Sequence, residues 1–168
     1  MHKTCLEDTV AAHIIEFKER YYRLAYSYVK NSEDAMDIVQ ESIYKAFSSL
    51  DSLENPSYIK TWFYRIVVNT SVDILRKRKR EILSNETFLS SIDEGEYDSY
   101  ENFDLKAALD SLPENYRTII ILRYFEDLKL QEIADVLNEN VNTVKTRLYA
   151  GLKKLRIAMD EKNEEVLI

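Results

Sequence analysis

Glycine and proline are scarce in this chain: its 168 residues contain two of each, and cysteine occurs once. Sheets joined by tight turns need glycine and proline, so their scarcity favours a mostly helical chain with short connections. The same scarcity excludes a glycine-rich phosphate loop, a dinucleotide-binding fingerprint and a Gly-x-Ser-x-Gly nucleophile elbow. The single Cys5 excludes an internal disulfide framework and suits a reducing compartment.

Long apolar runs are missing too, and so are convincing sites for metals or catalysis. No stretch approaches the roughly 20 apolar residues that span a bilayer, and the N-terminus lacks the apolar core of a signal peptide. We therefore expect a cytoplasmic protein without direct membrane insertion. His2, Cys5 and His13 have no companion cluster of ligands, and no nucleophile pairs visibly with a base. We expect no metal, no cofactor and no enzymatic activity.

The net charge of −7 conceals two basic segments. Residues 54–83 carry seven basic and three acidic side chains, and residues 117–159 carry eight and five. Between them, residues 84–116 carry one basic and nine acidic side chains. Exposed charges are screened beyond roughly 8–10 Å, so a polyanion would be held at the basic segments and repelled between them. Randomly scattered solvated charge is the simpler alternative, but each basic segment falls on a predicted helical element.

Apolar residues recur at spacings of three and four in the N-terminal half, which predicts three helices. Asn31 is a suitable cap for the second helix, and Asn55–Pro56 precedes the third. The third helix is predicted to end in the basic run 76–80. Five basic residues exceed what helix capping needs, so we interpret this run as a phosphate contact. Trp62 could stack on a base, although its position between apolar residues is more typical of a core.

An acidic segment follows at residues 84–103, with six acids, no basic residue and several aromatic side chains. It lacks a sustained helical period, so we expect it to be a flexible linker that is disordered alone and docks in a groove. Fully extended, 20 residues span about 70 Å.

The C-terminal half has the pattern of a helix-turn-helix: a short helix LQEIADVL, a turn at residues 138–142 holding a buried valine, and a longer basic helix. Small Ala134 allows a close helix crossing. A basic surface helix in an ordinary bundle is the alternative, but turn, small residue and basic face coincide. The residues predicted to face solvent on the basic helix are Thr143, Lys145, Thr146, Arg147, Tyr149, Lys153 and Arg156.

Three segments together resemble the extracytoplasmic-function sigma factors of bacterial RNA polymerase: DAMDIVQESIYKAF, TWFYRIVVNTSVDILRKRKR and LPENYRTIIILRYFEDLKLQEIADVLNENVNTVKTRLYAGLKKLR. The resemblance covers nearly all of residues 10–158 in the family's order. It implies an all-α protein of two small helical domains joined by the acidic linker. The implied divisions are sigma region 2 at residues 1–83, the linker at 84–103, region 4 at 104–160 and a tail at 161–168.

The resemblance also implies roles for particular residues. Asp37, Ile38, Gln40 and Glu41 match the motif that docks on the clamp of the largest polymerase subunit. The loop that captures a flipped base of the −10 element matches Leu53, Glu54, Asn55, Ser57 and Tyr58. Asn69 and Asp73 match positions facing that element's upstream edge, and they lie on one helix face with Arg65 and Arg76 beside them for phosphates. An intrahelical salt bridge between Asp73 and Lys77 is the alternative.

The −35 reading helix of the family matches Lys145, Thr146, Arg147 and Tyr149, and the solvent-facing Thr143 and Lys153 extend that surface. Asn138 and Asn142 stand where the family often has glycine, and asparagine tolerates a positive φ, so the turn is expected to survive. Ala150 stands where many members carry another basic residue, which leaves the assignment of −35 contacts open.

The partners implied by the resemblance are core RNA polymerase, through its clamp and flap, promoter DNA, and a membrane-bound anti-sigma factor, in cell-envelope stress. The linker is implied to thread the polymerase active-site and RNA-exit path. We expect a monomer outside these complexes. Two other classes stay open on the residues alone: an autonomous helix-turn-helix regulator that binds duplex DNA without polymerase, and a helical adaptor that binds only protein.

Overall fold

Helices make up the protein in the computed structural model, which describes residues 3–84 and 103–166. No strand occurs in these two ranges, and the predicted all-α fold is confirmed. The helices of the N-terminal half are α1 (Lys3–Val29), α2 (Ser32–Ser48) and α3 (Ile59–Ser84), with 3-10 helices at Leu50–Ser52 and Pro56–Tyr58. Those of the C-terminal half are α4 (Phe103–Ser111), α5 (Glu114–Ile120), α6 (Leu130–Leu137) and α7 (Val141–Val166).

The chain divides into two compact units, Met1–Glu94 and Gly95–Ile168. Most of the predicted acidic linker, residues 85–102, lies outside the described residues. The boundaries at residues 83, 103 and 160 therefore stay predictions.

Aromatic packing holds α1 against α3 in the first unit. Tyr21 is fully buried and meets the ring of Phe63 edge-on, with centroids 4.5 Å apart, and the ring of Tyr64 at 4.7 Å. Such offset and edge-to-face pairs are the favoured aromatic geometries. The apolar spacing from Val10 to Tyr28 predicts a first helix of about twenty residues. The helix α1 is longer, with 27 residues, and is kinked at Phe17, whose φ of −109° and ψ of 15° are not helical. These contacts fix which face of α3 is buried.

Polar contacts add to this packing between α2 and α3. The predicted cap is confirmed: the Asn31 side chain accepts a hydrogen bond from the Asp34 backbone N–H at 2.8 Å. Asp34 in turn forms an ion pair with Arg78 of α3. At the other end of the contact, Lys45 Nζ donates to Thr70 Oγ1 at 3.2 Å. The two helices are thus joined near both ends of α2.

The sequence prediction placed the end of the third helix at the basic run 76–80, and this was wrong. Helix α3 continues to Ser84, so the run lies within the helix and not at its C-terminus. The residues after the run, Glu81 to Ser84, include no glycine or proline that would end a helix.

In the second unit, α5 and α7 approach closely at Gly151 of α7. A Cβ atom at this position would lie 3.2 Å from both Ile120 Cδ1 and Tyr116 Cβ of α5. Directly after α5, residues Ile121–Phe125 form a π-helical turn. Single π turns inside helices concentrate at functional sites. The periodicity of this apolar stretch could not distinguish a π turn from a continuous α-helix.

The helix-turn-helix forms from α6 and α7 as predicted, with a shorter turn. Asn138 ends α6 in the left-handed conformation at φ 53°, which confirms the expected tolerance of asparagine there. Asn142 and Val141 belong to α7, so the positive φ expected at Asn142 and the buried valine expected within the turn were wrong; Val141 is half-buried. Asn140 Oδ1 accepts from the Asn142 backbone N–H at 2.8 Å and caps α7.

We expect Gly151→Leu to destabilise the second unit by about 1–3 kcal/mol, because the added side chain has no space against α5. Thermal unfolding of the full chain, followed by circular dichroism, measures this as a lower Tm. Ala150→Leu, at the neighbouring half-buried position, is the matched control and should change the Tm much less. Equal Tm values for the two variants would contradict the close packing of α5 and α7.

Candidate polymerase and nucleic-acid interfaces

An acidic and polar surface lies on the outer face of α2. Asp37, Gln40 and Glu41 are exposed, as expected for a partner contact. Ile38, placed in the same predicted set, is fully buried and packs in the core. Burial of Ile38 turns the three polar residues outward, and its place in the polymerase-binding set stays a prediction.

The sequence reasoning missed the apolar part of this face. Met36 is 54% exposed and Tyr44 70%. Phe47, which the apolar spacing of α2 predicts to point inward, is 37% exposed. Their spacing from Gln40 by four, four and seven residues places them along one side of the helix. The surface of α2 is therefore a mixture of carboxylates and apolar side chains, a composition typical of a protein-binding face.

A line of polar, basic and aromatic side chains follows one face of α3 and the turn before it. Successive members are three or four residues apart, so they share one side of the helix. From the first to the last, 18 residues cover about 27 Å at 1.5 Å per residue. All are exposed except Trp62, which is half-buried, and together they form the α3 face: Tyr58, Trp62, Arg65, Asn69, Asp73 and Arg76.

The loop before α3 presents its polar residues to solvent. Glu54, Asn55, Ser57 and Tyr58 are exposed, whereas Leu53 is buried and anchors the loop in the core. The Leu53 side chain is thus turned away from the loop surface, and its place among the −10 residues stays a prediction.

Short-range hydrogen bonds shape this loop. Asn55 Oδ1 accepts from the Ser57 backbone N–H at 3.0 Å and from its hydroxyl at 2.9 Å. Trp62 Nε1 donates to Ser52 Oγ at 2.9 Å. The Trp62 side chain is half-buried, whereas its apolar neighbours in the sequence suggested a core position. Trp62 thus ties the start of α3 to the preceding 3-10 helix.

The basic run 76–80 is mostly available to a polyanion. Arg76, Lys77, Lys79 and Arg80 are exposed, while Arg78 is half-buried in its ion pair with Asp34. Within the described part of the chain, no hydrogen bond or ion pair joins Asp73 to Lys77. The alternative account of Asp73, a salt bridge within the helix, is therefore not supported.

The first turns of α7 expose the residues predicted for duplex recognition. Lys145, Thr146, Tyr149 and Lys153 are exposed, Thr143 and Arg147 are half-buried, and Val144 and Leu148 pack inward. The Thr146 hydroxyl donates to the Asn142 carbonyl at 2.9 Å, which leaves its oxygen able to accept from a base.

Two of the three cations of this surface, Lys145 and Arg147, lie on opposite flanks of it. Lys145 and Arg147 are two residues apart, and therefore about 200° apart around the helix, with Thr146 between them. Arg147 Nη1 donates to Glu139 Oε1 at 2.9 Å. Glu139 had been regarded only as a turn residue, because a pairing across eight residues and a turn leaves no periodic signal in the sequence.

The rejected metal candidates lie in different settings. His2 is outside the described residues, Cys5 is exposed, and His13 Nε2 is hydrogen-bonded to Tyr21 Oη at 2.5 Å. Burial lowers the pKa of the His13 imidazole; nearby Glu16 opposes this effect and Lys60 adds to it. In residues 3–84 and 103–166 no group of three potential metal-ligating side chains comes together.

The length and hydropathy of the helices bear on whether any of them could cross a membrane. Across the ranges that the structure describes, none of them combines the length with the apolar character that spanning a bilayer requires.

Comparison with protein families gives two matches, one in each unit. Residues 14–81 match Sigma-70 region 2, and residues 102–155 match Sigma-70, region 4. The α2 surface and the α3 face fall in the first match, and the helix-turn-helix falls in the second.

Individual proteins agree with these matches. The chain is 53% identical to the RNA polymerase sigma factor SigV of Bacillus subtilis over 150 residues, covering 89% of this chain and 90% of that protein. It is 34% identical to the ECF RNA polymerase sigma factor SigW of the same organism, covering 89% and 88%.

A solved structure of the sigma factor RpoE in complex with the anti-sigma factor NepR, from Bartonella quintana, has a similar fold. The TM-score is 0.77 at 26% identity, and the match covers 89% of this chain and 96% of that one. With two family matches and relatives of this identity over most of their length, the chain belongs to the extracytoplasmic-function sigma factors of the sigma-70 family.

Proposed function

We propose that this chain binds core RNA polymerase and directs it to particular promoters, with the first unit at the −10 element and the second at the −35 element. The observation that carries this function is the presence of a separate exposed basic and polar helix face in each unit, α3 in sigma region 2 and α7 in sigma region 4. Neither face carries catalytic chemistry, so the chain acts by binding.

The polymerase contact is assigned to α2. Asp37, Gln40 and Glu41 offer two carboxylates and an amide to a basic partner, and Met36 and Tyr44 add apolar area beside them. We infer that this surface meets the clamp of the largest subunit, and that the second unit contacts the flap. Charge complementarity would fix the orientation of α2 on the clamp, and burial of the apolar side chains would supply binding affinity.

The −10 element is assigned to the α3 face and the loop before it. A base flipped out of the duplex needs a stacking partner and polar groups for its edge. Exposed Tyr58 offers an aromatic ring, Asn55 and Ser57 offer polar groups in the same loop, and Glu54 is beside them. Asn69 can donate and accept at a base edge, with Asp73 one turn further, while Arg65 and Arg76 address phosphates.

The −35 element is assigned to α7. The N-terminal turns of the second helix of a helix-turn-helix enter the major groove. Lys145, Thr146 and Arg147 lie in those turns, and Tyr149, Lys153 and Thr143 extend the same surface. Because Lys145 and Arg147 lie on opposite flanks, we infer that one contacts bases and the other mainly phosphate.

The cellular location and the regulation of this activity follow from its partners. A factor that works with polymerase acts in the cytoplasm, and the relative solved with an anti-sigma factor supports control of this chain by such a protein. A membrane-bound anti-sigma factor that releases the chain under cell-envelope stress, and a monomeric chain outside these complexes, complete the proposal. The acidic segment 84–103 is proposed to thread the polymerase RNA-exit path.

Open-complex formation with purified core polymerase tests the function. We expect the chain and polymerase together to melt selected promoters, measured by permanganate reactivity of unpaired thymines, and each alone to melt none. Polymerase supplies the clamp and channel that hold the separated strands, so neither component suffices. Tight, sequence-specific duplex binding by the chain without polymerase would instead favour an autonomous helix-turn-helix regulator, and no promoter binding under either condition would favour a protein-binding adaptor.

Reversing the charge of the α2 surface should abolish polymerase binding. In the double variant Asp37→Lys and Glu41→Lys, two carboxylates that face a basic partner become cations, so attraction turns into repulsion. Fluorescence titration of labelled chain with core polymerase measures the loss of affinity. Asp8→Lys with Glu19→Lys makes the same charge change at exposed positions of α1 and serves as the control. Unchanged affinity of the α2 variant, with an unchanged helical spectrum, would remove α2 from the interface.

Asn69→Ala should weaken binding of holoenzyme to single-stranded −10 oligonucleotides in a base-dependent manner, by about 1–3 kcal/mol on the preferred sequence. The loss should be small on oligonucleotides changed at the contacted base, because the hydrogen bonds are already missing there. Arg76→Ala is the comparison: as a phosphate contact it should weaken all sequences alike. A uniform loss for Asn69→Ala as well would mean that Asn69 does not contact a base.

A further inference from the structure

The ion pair between Glu139 and Arg147 joins the turn of the helix-turn-helix to the recognition helix. Their side chains are 35% and 34% exposed, so both remain within reach of a bound duplex. Glu139 follows Asn138, whose left-handed conformation ends α6, and the Glu139 backbone N–H donates to the Ala134 carbonyl at 2.9 Å. The backbone that carries the carboxylate is therefore fixed by the end of α6.

The geometry of arginine lets Arg147 pair with Glu139 and contact a base at the same time. A guanidinium presents five N–H donors in a plane, and Nη1 donates to the carboxylate in this structure. Donors remain for another acceptor pair, and the O6 and N7 atoms of guanine are the pair that arginine meets most often in the major groove. A side chain fixed by a neighbouring carboxylate loses less rotamer entropy when it meets a base than a free one does.

The carboxylate also affects how the surface meets phosphates. A free arginine at a helix flank would bind any phosphate within reach, whatever the sequence. Glu139 neutralises part of that charge and repels phosphates at short range, within the roughly 8–10 Å over which exposed charges act. The pair should therefore lower the affinity for DNA of arbitrary sequence while retaining the donors that face a base.

We propose that Glu139 is a positioning residue for promoter selectivity: it holds the Arg147 guanidinium toward a guanine edge of the −35 element and away from the nearest phosphate. This inference rests on the proposed function of α7. It assigns to Arg147 the base contact of the two flanking cations, and to Lys145 the phosphate contact. Glu139 acts through Arg147 and needs no DNA contact of its own.

The test uses the full chain with core polymerase and a library of promoter duplexes randomised across the −35 element, with bound sequences counted at several salt concentrations. Glu139→Ala should lower the preference for guanine at one position by about fivefold or more, the effect of a weakened bidentate contact. The affinity of this variant for non-selected duplexes should increase, because Arg147 becomes free to contact one more phosphate. That affinity should also depend more strongly on salt: its loss between 50 and 200 mM salt should be about threefold greater than for the parent chain. A purely structural role of the turn would not strengthen binding to non-selected duplexes.

Three further variants separate the effect of Glu139 on Arg147 from other effects of losing a carboxylate. Glu139→Gln keeps an acceptor at the same reach and should retain most of the guanine preference, although its salt dependence should resemble that of Glu139→Ala. In an Arg147→Ala background, Glu139→Ala should change the base preference no further. Asp160→Asn removes an exposed carboxylate elsewhere on α7 and should leave the preference unchanged.

The outcomes distinguish this inference from the function on which it rests. If the parent chain with polymerase selects no −35 sequence, the proposed role of α7 fails. If the parent selects a sequence and Glu139→Ala selects it equally well, or if Glu139→Ala alters the preference to the same extent without Arg147, the positioning role is overturned. Lys145→Ala should lower affinity for all sequences alike, and a base-specific loss there would exchange the roles of the two cations.

Discussion

The packing of Tyr21 against Phe63 and Tyr64 determines what the first unit can present to its partners. Since these rings lie on the buried side of α3, the rotation of that helix about its own axis is fixed, and the opposite side necessarily faces solvent. Asn69 and Arg65 owe their exposure to this rotation. The burial of Ile38 has the same effect on α2 and turns Asp37 and Glu41 outward. The exposed polar residues of both helices are thus positioned by apolar contacts in the core.

In the second unit, too, buried contacts determine which side of a helix faces solvent. At Gly151, α7 approaches α5 so closely that an added Cβ would lie 3.2 Å from Ile120 and Tyr116, and Val144 and Leu148 of α7 are buried as well. The recognition residues lie on the remaining side of α7, which begins at a cap formed by Asn140. Because α7 is fixed along one side and at its start, its first two turns form a rigid surface, as base recognition requires.

Periodic features of this fold could be predicted from the sequence, whereas pairings between elements could not. The apolar spacing and the caps at Asn31 and Asn138 are local signals, and the helices follow them. The continuation of α3 beyond its basic run, the π turn after α5 and the pairing of Glu139 with Arg147 leave no regular pattern in the sequence. The presence of a residue in a functional motif also did not show whether its side chain is exposed. Ile38 lies in the motif proposed to bind polymerase and is nevertheless a core residue, because a helix motif includes the residues that anchor it.

Each of the two helices proposed to bind nucleic acid has an acidic partner for one of its arginines. Asp34 pairs with Arg78 of α3, and Glu139 pairs with Arg147 of α7. Each pair removes part of a positive charge from a surface whose affinity for DNA of any sequence depends on free cations. The cost in affinity is acceptable for a protein whose DNA contacts are made together with a polymerase, since two weak sites held in one complex reinforce each other through effective concentration. Weak binding by each surface alone then favours promoters over the large excess of other DNA, because only a promoter engages both surfaces at once.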